Sequence, residues 1–328
     1  MKVAIWIPRY YETSVKVYVD NIRKYLEQSG VVFVEVNEHS TIPDDVDLVW
    51  DPNCTGAKYP NRRILFSDKK WIITLHGASN FSLPLHYTFT TTKQKIVGLY
   101  KNLKRRIAWF MYKYKATHII TVSTFAKSEI IEQLHIDPKK ISIIYHGYND
   151  DIFRQYSGVK KYFFNVSIYQ KVKNIDRLIE AYNQLPIETR MPLIIVCPNY
   201  PNVDLKIEKL TLITHKISQK EVAKYMEDAY CFVFPSIRES FGLPLIEAFA
   251  CGVPVIASNT SALKELTKDA GILIDPFSVE EIKNAMLDMM ENKELRDAFA
   301  AKAVERAKDF SWQKSAQLHL EIFKRILD

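Results

Sequence analysis

Apolar residues in the first part of the chain fall into short β-rich runs separated by stretches of helical spacing. Residues 2–7 form one run, Val15, Val19, Ile22 and Leu26 repeat at helical intervals, and residues 31–36 are again strand-like. Strand, helix, strand is the parallel α/β unit. Runs at 64–66, 71–75, 118–122 and 141–145 extend the series, Leu48, Val49 and Trp50 open another short strand, and Ser123 is placed as a helix N-cap. After the turn-rich residues 146–151 a second series begins. It predicts strands at 162–168, 193–197, 210–214, 231–235, 253–257 and 271–274, and helices from about 175, at 219–229, near 244–250, at 279–291, at 294–310 and to the end of the chain. Two alternations of this kind predict an α/β protein of two doubly wound, Rossmann-like domains facing a cleft. The expected boundaries are 1–157 and 158–310, with 311–328 a final helix crossing back to the first domain.

Composition narrows the class. Of the 328 residues, 47% are apolar and 25% charged, the profile of an ordinary folded protein. The four cysteines are far apart in sequence, without a C-x-x-C pair, which argues against a disulfide framework or structural zinc and for a reducing compartment. No apolar run approaches a membrane span or a signal peptide, so a cytoplasmic protein is expected.

Charge is placed unevenly. Residues 1–157 carry 22 basic and 15 acidic side chains, whereas the remainder is balanced at 23 of each. From Lys69 to Ser128 there is no Asp or Glu and there are 11 Lys or Arg. Between Lys93 and Lys115 the basic residues flank Ile96, Tyr100, Leu103, Ile107, Phe110, Met111 and Tyr114, which share one helical face. Two readings fit: a helix lying on an anionic membrane surface, or a core helix with a basic outer face. Nucleic acid is not expected, since no recognition motif accompanies the charge.

The richest local signal runs from Phe234 to Ala257. A buried strand ends at Pro235, a loop carries Glu239, and Gly242 lets the backbone approach a ligand. Pro244 suits the start of a helix and Gly252 its left-handed end. Free N–H groups at that helix start favour a phosphate. Glu239 and Glu247 are instead suited to accept hydroxyl protons. A ligand with phosphates between two polyhydroxylated rings satisfies both demands, and a nucleotide sugar has that shape.

This segment resembles the E-x7-E signature of retaining glycosyltransferases of family 4, which have the GT-B fold; Glu239 and Glu247 have the required spacing. The likeness extends over about 160–315, taking in residues 218–229, 269–276 and Phe310-Ser311-Trp312. Upstream, Lys171-Val172-Lys173-Asn174 resembles the family's basic stretch, with Asn174 a helix N-cap, and Thr74-Leu75-His76-Gly77 resembles its strand-end histidine motif. The resemblance implies that Glu239, His76 and Lys173 serve catalysis. It implies that Glu247, Lys171, Phe241, Gly242 and Leu243 bind the donor, Glu247 through ribose hydroxyls and the loop through backbone N–H groups. No cofactor is implied, and no metal, because Lys173 and the helix starts meet the diphosphate charge. The family's glycine-rich loop after the first strand is missing: residues 9–14 hold none. Asp44, Asp45 and Asp47 superficially offer a metal-binding D-x-D, but they precede a strand far from Glu239 and read as a solvated turn.

The expected activity is transfer of a sugar from a nucleotide-diphosphate sugar to a glycan or lipid-linked acceptor in surface polysaccharide or glycoconjugate synthesis. The enzyme is expected in the cytoplasm, peripheral at the inner membrane face. The rivals are a nucleotide-sugar 2-epimerase of similar fold and a catalytically silent nucleotide-sugar-binding or membrane-adaptor protein.

Overall fold

A computed structural model describes residues 1–8, 13–54, 59–89, 91–156, 158–201 and 205–328. They form two compact units, Met1–Gly147 with Ser311–Asp328, and Tyr148–Phe310. The division thus falls at Tyr148, ahead of the expected 157/158 boundary. The connecting segment packs within the second unit: Gln155 lies against Gly252, its Cγ 3.3 Å from where a Cβ would stand.

The first unit is built on a parallel sheet of β1 (Lys2–Trp6), β2 (Val32–Val36), β3 (Leu48–Cys54), β4 (Lys70–Leu75), β5 (His118–Thr121) and β6 (Ile141–Ile143), in the order β2-β1-β3-β4-β5-β6. Ala4 pairs with Val34 on one side and Val49 on the other. All seven residues of β3 are buried, as expected of a central parallel strand covered on both faces. The Thr13–Gln28 helix buries Val15, Tyr18, Val19, Ile22 and Leu26, one stripe at helical spacing. Against it lies the Trp312–Leu327 helix, which buries Trp312, Ala316, His319, Ile322 and Phe323. The chain passes its start only because residue 147 is glycine: a Cβ there would stand 2.1 Å from the Trp312 nitrogen.

The second unit repeats the plan with β7 (Tyr162–Val166), β8 (Leu193–Val196), β9 (Leu210–Ile213), β10 (Ala229–Phe234), β11 (Val255–Ser258) and β12 (Gly271–Ile274), all parallel in the order β12-β11-β10-β7-β8-β9. Its core joins Phe163, Ile195, Val233 and Ile256 from the sheet to Leu178, Tyr182, Ile282 and Met286 from flanking helices.

Several sequence expectations need correction. Residues 64–66 lie in a helical turn, Arg63–Phe66, in which Asn61 Oδ1 accepts the Arg63 N–H at 3.0 Å; an apolar run so short carries no period. The Ser261–Thr267 helix was not anticipated. The basic segment forms a helix, Thr92–Tyr112, that is not a core helix: Gly98, Trp109 and Tyr112 are buried, while the seven residues of the apolar face are each 48–69% exposed. Among the described residues, no helix is long and apolar enough to cross a membrane. Asp45 and Asp47 are engaged by Lys2, through its ammonium and its backbone N–H respectively.

Candidate functional site

In the second unit, β10 delivers the chain to Pro235 and into a loop that three bonds fix in place. Ile237 N–H donates to Val172 O at 2.8 Å, Thr260 Oγ1 donates to Ile237 O at 3.0 Å, and Glu239 N–H donates to Ser261 Oγ at 3.0 Å. The first of these brings the helical turn Lys171–Lys173 alongside the loop, so that Lys173 Nζ stands 2.7 Å from Glu239 Oε1. The pair is well shielded, its side chains 19% and 12% exposed.

Asn174 stands at the start of the Ile175–Asn183 helix in a left-handed conformation, φ 61°, but its side chain does not cap that helix. Its amide instead donates to Pro235 O at 3.0 Å and Pro276 O at 2.6 Å, and Arg177 donates to its Oδ1 at 2.8 Å. This residue pins the ends of two strand–loop connections around the basic turn. The sequence offered Asn174 as a cap; its bridging role, like that of Thr260 and Ser261, depends on partners many residues away and left no local signal.

Gly242 has φ 118° and precedes the Leu243–Ala250 helix, with Pro244 in its first turn. The conformation favours glycine, while a Cβ at 242 would lie 2.9 Å from Leu263 Cδ2, the movable end of a side chain. Phe241 is buried edge-on against Phe310, centroids 6.1 Å apart, so its backbone rather than its ring is the part suited to a ligand. Glu247 follows in the second turn, 8% exposed, and its carboxylate has no hydrogen-bond or ion-pair partner among the described residues. Burial raises it to about 8. Burial also lowers the neighbouring loop guanidinium, Arg238, to about 10. Lys171 is exposed and makes no ion pair among the described residues.

His76 belongs to the first unit, at the end of β4. Its Nε2 lies 2.9 Å from Pro52 O, and because a carbonyl only accepts, that nitrogen carries the proton. The ring stands edge-on to Tyr18 at 4.9 Å and 5.6 Å from His146. His146 is buried and held well below its ordinary range by desolvation, then by His76 and His319. The loop at 9–14 falls at residues 9–12 outside the described residues.

Two family models match in tandem: Glycosyltransferase Family 4 over residues 39–152, and Glycosyl transferases group 1 over 150–306. The chain belongs to the family 4 glycosyltransferases. This glycosyltransferase is 27% identical over 289 residues to O-antigen chain mannosyltransferase B of Escherichia coli, spanning 81% of this chain and 73% of that one. It is 29% identical over 251 residues to the O-antigen chain mannosyltransferase RfbU of Salmonella typhimurium, spanning 72% and 69%. Among solved structures, a glycosyltransferase from Rickettsia africae superposes with a TM-score of 0.77 at 18% identity, covering 100% of this chain and 98% of that one. Anabaena HepE in complex with UDP and glucose does so with a TM-score of 0.72 at 15% identity, covering 99% of each. At such identities the structures establish the fold, which is GT-B.

Proposed function

We propose that the enzyme moves a hexosyl group from a nucleotide-diphosphate sugar to a glycan or lipid-linked acceptor in polysaccharide or glycoconjugate synthesis, with retention of configuration and without a divalent ion. The observation that carries the donor half is Glu247: a buried carboxylate without a protein partner among the described residues, on the short helix whose start follows the Lys173–Glu239 pair. An orphan carboxylate in that position calls for hydroxyl donors, and ribose supplies them.

In the free enzyme Lys173 and Glu239 neutralise each other. An arriving diphosphate competes for the ammonium and is met also by N–H groups at Phe241, Gly242 and Leu243 and by exposed Lys171. Glu239, released, accepts hydroxyls of the transferred sugar. The bond from the anomeric carbon to the phosphate oxygen breaks, the bond to the acceptor oxygen forms on the same face, and the acceptor's proton passes to the departing phosphate oxygen. Positive charge on Lys173 and the helix dipoles stabilise the leaving diphosphate, a preorganised electrostatic effect. His76 stays in the reaction on the family resemblance; its support here is that the bond to Pro52 O fixes its tautomer and ring.

The exposed face of the Thr92–Tyr112 helix favours a peripheral position on an anionic bilayer, where apolar residues enter the interface and the basic flank meets lipid phosphates.

The test is thermal stability against UDP, GDP, ADP and dTDP sugars, in wild type and Glu247→Gln. The relatives' names put mannosyl donors first. A bound donor at 100 times its dissociation constant adds about 2.7 kcal/mol, a shift of several degrees. One nucleotide series should shift the wild type and shift the variant much less; no shift with any of them removes the donor reading. Turnover is then followed with EDTA present and the anomeric configuration of the product read by NMR.

A further inference from the structure

We propose that Ser261 is a positioning residue for the transfer reaction, holding the Glu239 backbone so that its carboxylate meets the hydroxyls of the transferred sugar; this rests on the reading of Glu239 above and deepens it. The grip is two-sided. Glu239 N–H donates to Ser261 Oγ at 3.0 Å, and Glu239 O accepts from Ala262 N–H at 3.2 Å. With the peptide groups on both sides of Glu239 tied to the same helix start, its Cα–Cβ direction is fixed. The carboxylate keeps only its own torsions, and Lys173 restrains these from a distance of 2.7 Å.

The local structure around Ser261 does not account for this placement. Ser261 opens the Ser261–Thr267 helix with φ 54°, in the left-handed region that disfavours any residue with a Cβ. Glycine would adopt that conformation more readily, but it carries no hydroxyl. Thr260 precedes it at the position where a hydroxyl ordinarily caps its own helix. It makes no such bond and donates to Ile237 O at 3.0 Å instead. The start of this helix therefore lacks both its own cap and a relaxed backbone, and its two hydroxyls hold the loop at residues 237 and 239. Asn174, also left-handed at φ 61°, holds the same segment at Pro235 O. Strained backbone that the surrounding structure maintains beside a ligand is one way in which a site is preorganised. Glu247 lies on a separate helix and receives none of these bonds, so loss of the Ser261 hydroxyl acts on recognition of the sugar and not of the nucleotide.

The test is titration calorimetry of wild type, Ser261→Ala, Ser261→Gly and Glu239→Gln with GDP-mannose against GDP, UDP-glucose against UDP, ADP-glucose against ADP and dTDP-glucose against dTDP. Within a pair, the ratio of the two dissociation constants isolates the sugar. Both Ser261 variants lack the hydroxyl, and only the glycine relaxes the backbone. Each should shift the ratio against the sugar by about fivefold, the size of effect one hydrogen bond supplies. The bare diphosphate, whose binding also reports a folded second unit, should bind as in wild type; if one substitution unfolds that unit, the other decides. An unchanged ratio, with nucleotide sugar and bare diphosphate unaffected or weakened alike, overturns the proposal and leaves Ser261 a support of the loop as a whole. If Glu239→Gln also leaves the ratio unchanged, the reading of Glu239 fails and the proposal with it. If the wild type binds no member of any pair, it is the donor site that fails.

Discussion

Tyr18 Oη and His319 Nε2 lie 2.7 Å apart, buried, joining residues 301 positions distant in the chain. His319 Nδ1 lies 2.7 Å from Ser315 O, which can only accept, so Nδ1 carries the proton of the neutral ring and Nε2 accepts from the Tyr18 hydroxyl. Tyr18 Oη in turn accepts from Thr74 Oγ1 at 2.9 Å, and Thr74 Oγ1 accepts from Trp50 Nε1 at 3.0 Å. The directed chain fastens the last helix to β3 and β4, and it holds the Tyr18 ring against His76.

That chain exists only while His319 is neutral. Burial is the main cause that lowers His319 to about 4, and the proximity of His76 adds to it. The unfolded chain therefore takes up a proton near pH 6.5 that the folded chain refuses until about 4. Stability is full above pH 6.5 and falls on acidification through that window, by about 3 kcal/mol from this residue. Urea unfolding at pH 7 and pH 5 should show the wild type losing more stability than His319→Leu, which starts lower and titrates nothing at this position.

Glu247 has the opposite sign. The folded chain keeps its proton up to about 8, whereas an unfolded glutamic acid loses it near 4.5. Stability thus declines as pH rises from 4.5 to 8, and Glu247→Gln should raise the melting temperature by several degrees near pH 7, a gain of up to about 3 kcal/mol. The same variant should weaken nucleotide-sugar binding. Hydroxyls donating to the carboxylate favour its charged form, so wild-type affinity should rise up to about tenfold per pH unit below 8 with release of a proton. Calorimetry in two buffers of different ionisation enthalpy detects that proton, and the variant should release none at this site.

Removing the Lys173 ammonium leaves the shielded Glu239 carboxylate without its partner and the departing diphosphate without its cation. Lys173→Ala should lower kcat by about 10²–10³. Initial rates at saturating donor decide it: a variant keeping more than a tenth of wild-type kcat would falsify the catalytic role and leave Lys173 a structural partner of Glu239.

The apolar face of the Thr92–Tyr112 helix lies in solvent, so replacing Leu103, Ile107 and Phe110 with serine should change stability by no more than about 0.5 kcal/mol per site. Sedimentation with phosphatidylglycerol vesicles should drop sharply in that variant, and wild-type binding should weaken with salt. Equal sedimentation of both proteins would remove this helix from the membrane reading.

Fold and site were legible to different depths. Parallel strands buried on both faces read as continuous apolar runs, which is why β1, β10 and β12 stand within two residues of their expected places. Glu239 and Glu247 share one strand–loop–helix segment, so their spacing was visible. The approach of Lys173 to Glu239 was not, because it depends on the bond between Ile237 and Val172. Nor did anything local mark His319, whose neighbours make it look like one polar residue of an amphipathic helix. The face at 93–115 has a periodicity that a core helix and a surface helix share, and the exposure of that face, with Trp109 and Tyr112 buried instead, separated them.

Because the first unit is completed by Ser311–Asp328, its folding is tied to the order of synthesis. With the chain made from its N-terminus at roughly 5–20 residues per second, all six strands of the second sheet, the last ending at Ile274, are synthesised before the helix carrying His319. Until then the Tyr18 hydroxyl lacks its acceptor, and the stripe that Trp312, Ile322 and Phe323 will cover faces water or a chaperone.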